Sequence, residues 1–184
     1  MDWYSFFELL HVICAILWVG GGFTLMVAAE LVRRKRGPGG MMAIVDAVAL
    51  LGPPFFVPVS LLTVVFGATT AFIGPGFGTL WVDLGLAGFI VTFLNGFFGI
   101  KPRAEKISAL IATQGPESPE VLARADNLMM IARFDYVMLA LVVVDMVVKP
   151  GVNDVGLLTA MAVILVAGGY LTLGSAIRKQ PAAA

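Results

Sequence analysis

Long apolar runs, separated by short polar punctuation, make up most of this chain. Five stand out: Tyr4 to Val32, Pro54 to Ile73, Leu80 to Ile100, Leu128 to Val148 and Val155 to Ile177. Each has at least the roughly 20 residues a helix needs to cross a hydrocarbon layer of about 30 Å, whereas barrel strands would alternate over about ten. The pattern predicts an all-α integral membrane bundle of five transmembrane helices, a single domain over residues 1–184.

The punctuation predicts the connections. "RRKRGPGG" ends the first helix, and "MMAIVDAVALLG" reads as an interfacial helix that the prolines of "PPFFVP" separate from the second crossing. "GPGFG" at 74–78 is a turn. "KPRAEKISALIATQG" extends or follows the third helix, with Gly115 as its stop. Ser118 is the expected N-cap of a new helix, with Pro119 at its first position and Glu120 at the positive end of its dipole. Run on to Val148, that helix spans about 45 Å, so its start protrudes and forms a short cytoplasmic helical hairpin around 101–127. The final "RKQPAAA" reads as a disordered tail.

Composition agrees: 59% of the residues are hydrophobic and only 13% charged, with a mean hydropathy of +0.96. The net charge is zero, yet its distribution orients the chain. Given five crossings, only Lys149 of the 12 Lys and Arg falls on one side; Arg33 to Arg36, Lys101, Arg103, Lys106, Arg124, Arg133, Arg178 and Lys179 fall on the other. By the positive-inside rule the amino terminus is outside and the carboxyl terminus inside, as expected for a multi-pass protein of a bacterial cytoplasmic (inner) membrane. "MDWYSFFE" is acidic where a signal peptide would be basic, so the first helix reads as a retained anchor. The basic runs suit lipid headgroups, and no nucleic-acid partner is expected. Gly85 with Gly88, Gly96 with Gly99, and Gly168 with Gly169 would admit neighbouring helices closely, including a membrane-protein partner or a second copy.

Ionisable side chains inside a bilayer cost a few kcal/mol each, which singles out the few present. The only histidine, His11, shares a helical stripe with Glu8, Ala15, Trp18 and Gly22, and the only cysteine, Cys14, lies beside it. Asp83 and Asp145 fall at similar depth on other helices. Three readings stay open: His11 hydrogen-bonds another helix, through Asp83 or Asp145; its imidazole is an axial ligand to haem b; or His11, Glu8, Asp83 and Asp145, with Cys14 or a methionine, hold copper or zinc. In the inner half, Glu30, Asp46, Asn95, Arg133 and Asp135 read as structural, with Arg133 meeting Glu30 or Asp46 or snorkelling to lipid phosphate. The sequence has no phosphate-binding glycine loop, CxxC, HExxH or second histidine, and whether it is an enzyme is left open.

His11, then six residues, then Trp18-x-Gly20-Gly21 resembles the first helix of the copper-resistance D family and of the HemJ-type protoporphyrinogen oxidases. The whole layout looks most like a related bacterial family of predicted integral membrane proteins of unknown function. The resemblance implies a first-helix histidine available to haem or metal, with Trp18, Gly20 and Gly21 beside the cofactor. The expected function is therefore haem b binding through His11, for electron transfer or porphyrin handling. The alternatives are a non-catalytic accessory subunit of a larger membrane complex, which needs no cofactor, and a copper or zinc handling protein.

Overall fold

The computed structural model describes residues 2–178, apart from the side chains of Pro38 and of residues 173–178. The stretch expected as a tail, with Lys179 and the Arg178 side chain, lies outside what is described. Among the described residues every regular element is helical: α1 (Trp3–Ala15), α2 (Gly21–Arg36), α3 (Met42–Leu51), α4 (Val57–Ile73), α5 (Leu80–Leu94), α6 (Lys101–Gln114), α7 (Pro119–Val148) and α8 (Val155–Arg178). Three widened π-helical stretches, Ile16–Gly20, Gly52–Phe56 and Asn95–Ile100, join α1 to α2, α3 to α4 and α5 to α6. The chain thus runs as long helices over Trp3–Arg36, Gly39–Ile73 and Leu80–Gln114, and these, with Val155–Thr172, are four helices long and apolar enough to cross a membrane. Helix α7 is 30 residues long but sets Arg133, Asp135 and Asp145 among its apolar residues.

The interfacial helix expected before "PPFFVP" is instead continuous with the helix that follows. A proline lacks the N–H for the helical ladder and crowds the carbonyl four residues back. Pro53 and Pro54 sit in the π stretch Gly52–Phe56, whose wider turn accommodates both problems without ending the helix. The third helix likewise passes through Asn95–Ile100 into α6, with Pro102 in the first turn of the α-helical part.

A 35-residue helix is about 52 Å long, well beyond a hydrocarbon core of about 30 Å. The excess lies where the charges are, at the end holding Arg33 to Arg36 of α2 and Lys101, Arg103 and Lys106 of α6, here termed the basic end. There α2 and α6 stop at Gly37 and Gly115, whose φ values of 78° and 82° favour glycine. Ser118 is the N-cap of α7, as its position predicts, but its hydroxyl donates to Gln114 Oε1 at 2.7 Å and makes no capping bond.

The main apolar core also lies at this end, where Met41, Met42, Val45, Ile107, Val121 and Leu128 are almost wholly buried. Around it Ser108 donates to Asp46, and Glu30 holds Arg33, Arg34 and, across to α7, Arg133 at 3.1 Å. Arg133 therefore meets Glu30 rather than Asp46. Farther along, Gly85 and Gly88 of α5 admit Met146 and Val142 of α7, and Gly168 and Gly169 of α8 face Val137 and Phe134. Gly96 and Gly99 differ from the expected packing pair: Gly96 faces open space, and Gly99 faces Asn95 and Arg103 of its own helix.

Candidate functional site

Two places bring chemistry-bearing side chains to the bundle, and they lie in different halves. The first is His11, half-buried on α1 where it packs against α4. Its Nδ1 lies 2.8 Å from the backbone oxygen of Thr63. A carbonyl can only accept, so Nδ1 carries a proton, and in the neutral ring the lone pair is then on Nε2. The ring fits because residue 67 is glycine: a Cβ there would sit 2.7 Å from Nδ1. His11 thus bonds another helix, but through the α4 backbone, not through Asp83 or Asp145. An imidazole finds a fixed acceptor in a carbonyl exposed by a glycine one turn on, which a search for acidic partners overlooks.

Of the other expected ligands, Glu8 and Asp83 are engaged by neighbours in their own segments. Glu8 accepts from Tyr4 one turn earlier at 3.4 Å. Asp83 is exposed and accepts from the Gly78 N–H in the preceding turn at 3.2 Å. Asp145 is 1% exposed against α5 at Gly85, with neither carboxyl oxygen hydrogen-bonded. Cys14 is a buried free thiol. Among the described residues no three His, Cys, Asp or Glu side chains gather where they could hold one metal ion. Of the residues expected beside a cofactor, Trp18 packs edge-on against Phe89 at 5.5 Å, Gly21 faces Phe55 and Phe56, and a Cβ on Gly20 would meet nothing.

The second place is a cavity of about 160 Å³ toward the basic half. All three π stretches contribute to its wall: Trp18 from the first, Gly52 and Phe56 from the second, Gly96, Phe97 and Ile100 from the third. A π turn rotates the residues beyond it relative to a regular helix and leaves local space, and such turns recur at functional sites. Helix α7 closes the cavity with Leu128, Ala132, Asp135, Tyr136 and Leu139.

The lining is mostly apolar with few polar groups. Ser60 and Thr92 donate back to carbonyls of their own helices, at 3.0 Å to Val57 and to Gly88. Asp135 is 8% exposed, and its Oδ1 accepts from Asn95 Nδ2 at 2.8 Å across the α5–α6 helix and α7. Among the described residues nothing else bonds this carboxyl group and no Lys or Arg pairs with it; Arg133 is engaged by Glu30. The Tyr136 hydroxyl, seated against Gly22 of α2, has no hydrogen-bond partner among the described residues. At the edge, Lys101 lies over the Phe97 ring at 5.2 Å and 3.7 Å from Glu105.

Reading the sequence alone assigns Asn95 and Asp135 to structure and passes over Tyr136 and the phenylalanines. The available signal is two polar side chains inside separate apolar runs, Asn95 beside Gly96 and Asp135 in a run with no helix breaker; what is not in the pattern is that 40 positions of separation close to 2.8 Å. Compared with protein-family models, curated proteins and solved structures, the chain finds no match.

Proposed function

We propose that this is a multi-pass inner-membrane protein that binds a small lipophilic molecule in the cavity walled by the three π stretches. In this reading α7 crosses as well, as the fourth of five, and the basic end faces the cytoplasm, in keeping with the positive-inside distribution of Lys and Arg. One observation carries the ligand-binding reading: three separate long helices are each deformed at the level of the same space, and their deformed residues line it. Close packing is what drives helix association in lipid, so a space kept open by three irregularities is a costly feature for a purely architectural bundle. Its size selects the ligand. A cavity of about 150 Å³ lined by aliphatic and aromatic groups holds benzene, so 160 Å³ accepts one six-membered ring, with any longer tail leaving by the edge. A porphyrin is far too large for it.

The test uses protein in lipid nanodiscs with Trp3 and Trp81 replaced by Phe, so that Trp18 alone reports. Bromobenzene, a heavy-atom quencher, should quench Trp18 saturably. Gly96→Leu, which extends a side chain from a position whose Cβ meets nothing, should abolish the saturable part. Purely linear quenching in both proteins, the behaviour of simple partition into lipid, would overturn the reading.

A second reading, haem b on His11, is favoured by the bond to Thr63. A histidine ligand commonly donates its other ring N–H to a carbonyl, which is how His11 is held, with Nε2 left open. His11 is not part of the cavity wall, so a porphyrin there would be separate from the ring-sized ligand. Protein produced with ample haem would show a sharp Soret band, absent in His11→Ala; colourless wild-type protein would reject this reading and leave the ring-nitrogen bond as a tie between α1 and α4.

A further inference from the structure

Resting on the cavity as a ligand site, we infer that it selects organic cations: a small lipophilic amine whose ammonium pairs with Asp135 while its ring lies among Trp18, Phe56, Phe93, Phe97 and Tyr136. Three observations converge on that chemistry. First, Asp135 is more than nine-tenths buried, lines the cavity and has only a neutral amide donor, Asn95, to balance it. A buried carboxylate without a cation is an uncompensated charge, and in membrane proteins such acids mark ligand and ion pathways or act as counter-ions.

Second, the basic groups nearby are already engaged. Arg133, two positions away on α7, is held by Glu30, and Lys101, the only other charged residue of the wall, sits at the edge against Glu105 and Phe97. The charge of Asp135 is therefore left for a ligand. Third, five aromatic side chains, Trp18, Phe56, Phe93, Phe97 and Tyr136, line the same space. Aromatic faces attract cations, most strongly where water is excluded, and the free Tyr136 hydroxyl adds an acceptor for an ammonium hydrogen. An anion would be repelled by Asp135, and a neutral ring would gain contact area but leave the carboxylate as it was.

The experiment compares ligands of one shape and different charge: benzylamine, an ammonium at neutral pH, benzyl alcohol and benzoate, each competing with bromobenzene for Trp18 in nanodiscs. Benzylammonium is expected to compete at a concentration at least tenfold below that of benzyl alcohol, and benzoate not at all. Asp135→Asn should erase that tenfold preference, and Asp135→Glu should keep most of it. Equal competition by benzylammonium and benzyl alcohol in the unaltered cavity, or a preference that survives Asp135→Asn, would overturn the inference. The first comparison needs no substitution at Asp135, so a poorly folding variant does not blunt it. If bromobenzene itself fails to bind saturably, the fault lies with the cavity reading; if it binds and no cation preference appears, only the choice of ligand class falls.

Discussion

The basic half of the bundle and the half around His11 are built on different physics. In the basic half, α2, α3, α6 and α7 bury a continuous apolar cluster under a layer of ion pairs. In the other half the buried side chains, Cys14, Thr63, Thr70, Ala71, Val82 and Asp145 among them, are mostly small or polar and form no comparable apolar cluster. Helices whose length exceeds the hydrocarbon core end in water, where burying apolar surface is favourable at about 25 cal/mol per Å². Inside lipid, an exposed Phe or Val costs nothing, and cohesion comes from glycine-permitted contact and a few hydrogen bonds. Gly67 under His11 and Gly85 under Met146 are that second kind of cohesion. The cavity falls between the two regimes, where neither closes the space.

This contrast is sharpest in core truncation. Ile107→Ala, at a position 1% exposed in the basic-end cluster, should lower stability by about 2–5 kcal/mol, whereas Phe72→Ala, at 78% exposure in the other half, should stay within about 0.5 kcal/mol. Denaturation of the protein in mild detergent, followed by circular dichroism, compares them; equal losses would erase the distinction.

The next effect concerns the tie in the sparse half. Gly67→Leu must displace the His11 ring and break its bond to Thr63, an overpacking cost of about 1–3 kcal/mol that the better helix propensity of leucine offsets by up to about 1 kcal/mol. Gly96→Leu, placed where nothing opposes it, should be neutral or stabilising in the same assay while removing ligand binding. Should Gly96→Leu destabilise as much as Gly67→Leu, the space beside Gly96 is not open.

Ion pairs come lower. Arg133→Ala should cost less than about 1 kcal/mol, because its side chain is 42% exposed and the pair is screened, even though it joins two helices. Smallest is the pH response of the α6–α7 turn. The Gln114 amide at 3.1 Å, then Arg124, holds the Glu120 carboxyl below its ordinary 4.5. A depressed carboxyl adds stability that is present above its unfolded value and lost as pH falls through the folded one. Amide exchange in residues 115–124 should therefore quicken below about pH 4.5, and Glu120→Gln should remove that acid limb; an unchanged profile in the variant would assign the response to another group.

How much of this was legible follows the same division. Long apolar runs and charge clusters specify helices and their polar ends, so the Pro119–Val148 helix and the Gly115 stop follow from local rules, whereas the partner of Arg133 stays open in the sequence between Glu30, Asp46 and lipid phosphate. The π stretches did not, because a proline pair marks trouble for a helix without saying whether the chain breaks or widens. The candidate site was half visible. His11 was identified, but its partner is a backbone oxygen, which has no signature in sequence. Asp135 was noticed as an inner polar residue, but its place in a cavity depends on three helices meeting, and spacing within one helix carries no trace of that.

The central claim is that the space between the π stretches takes a ring-sized guest. A crystal structure of the protein soaked with iodobenzene tests it directly through the anomalous signal of iodine. Iodine between Phe93, Gly96 and Ala132, missing in Gly96→Leu crystals treated alike, is the predicted result; iodine confined to the lipid-facing surfaces, with that space filled by protein side chains, would contradict it.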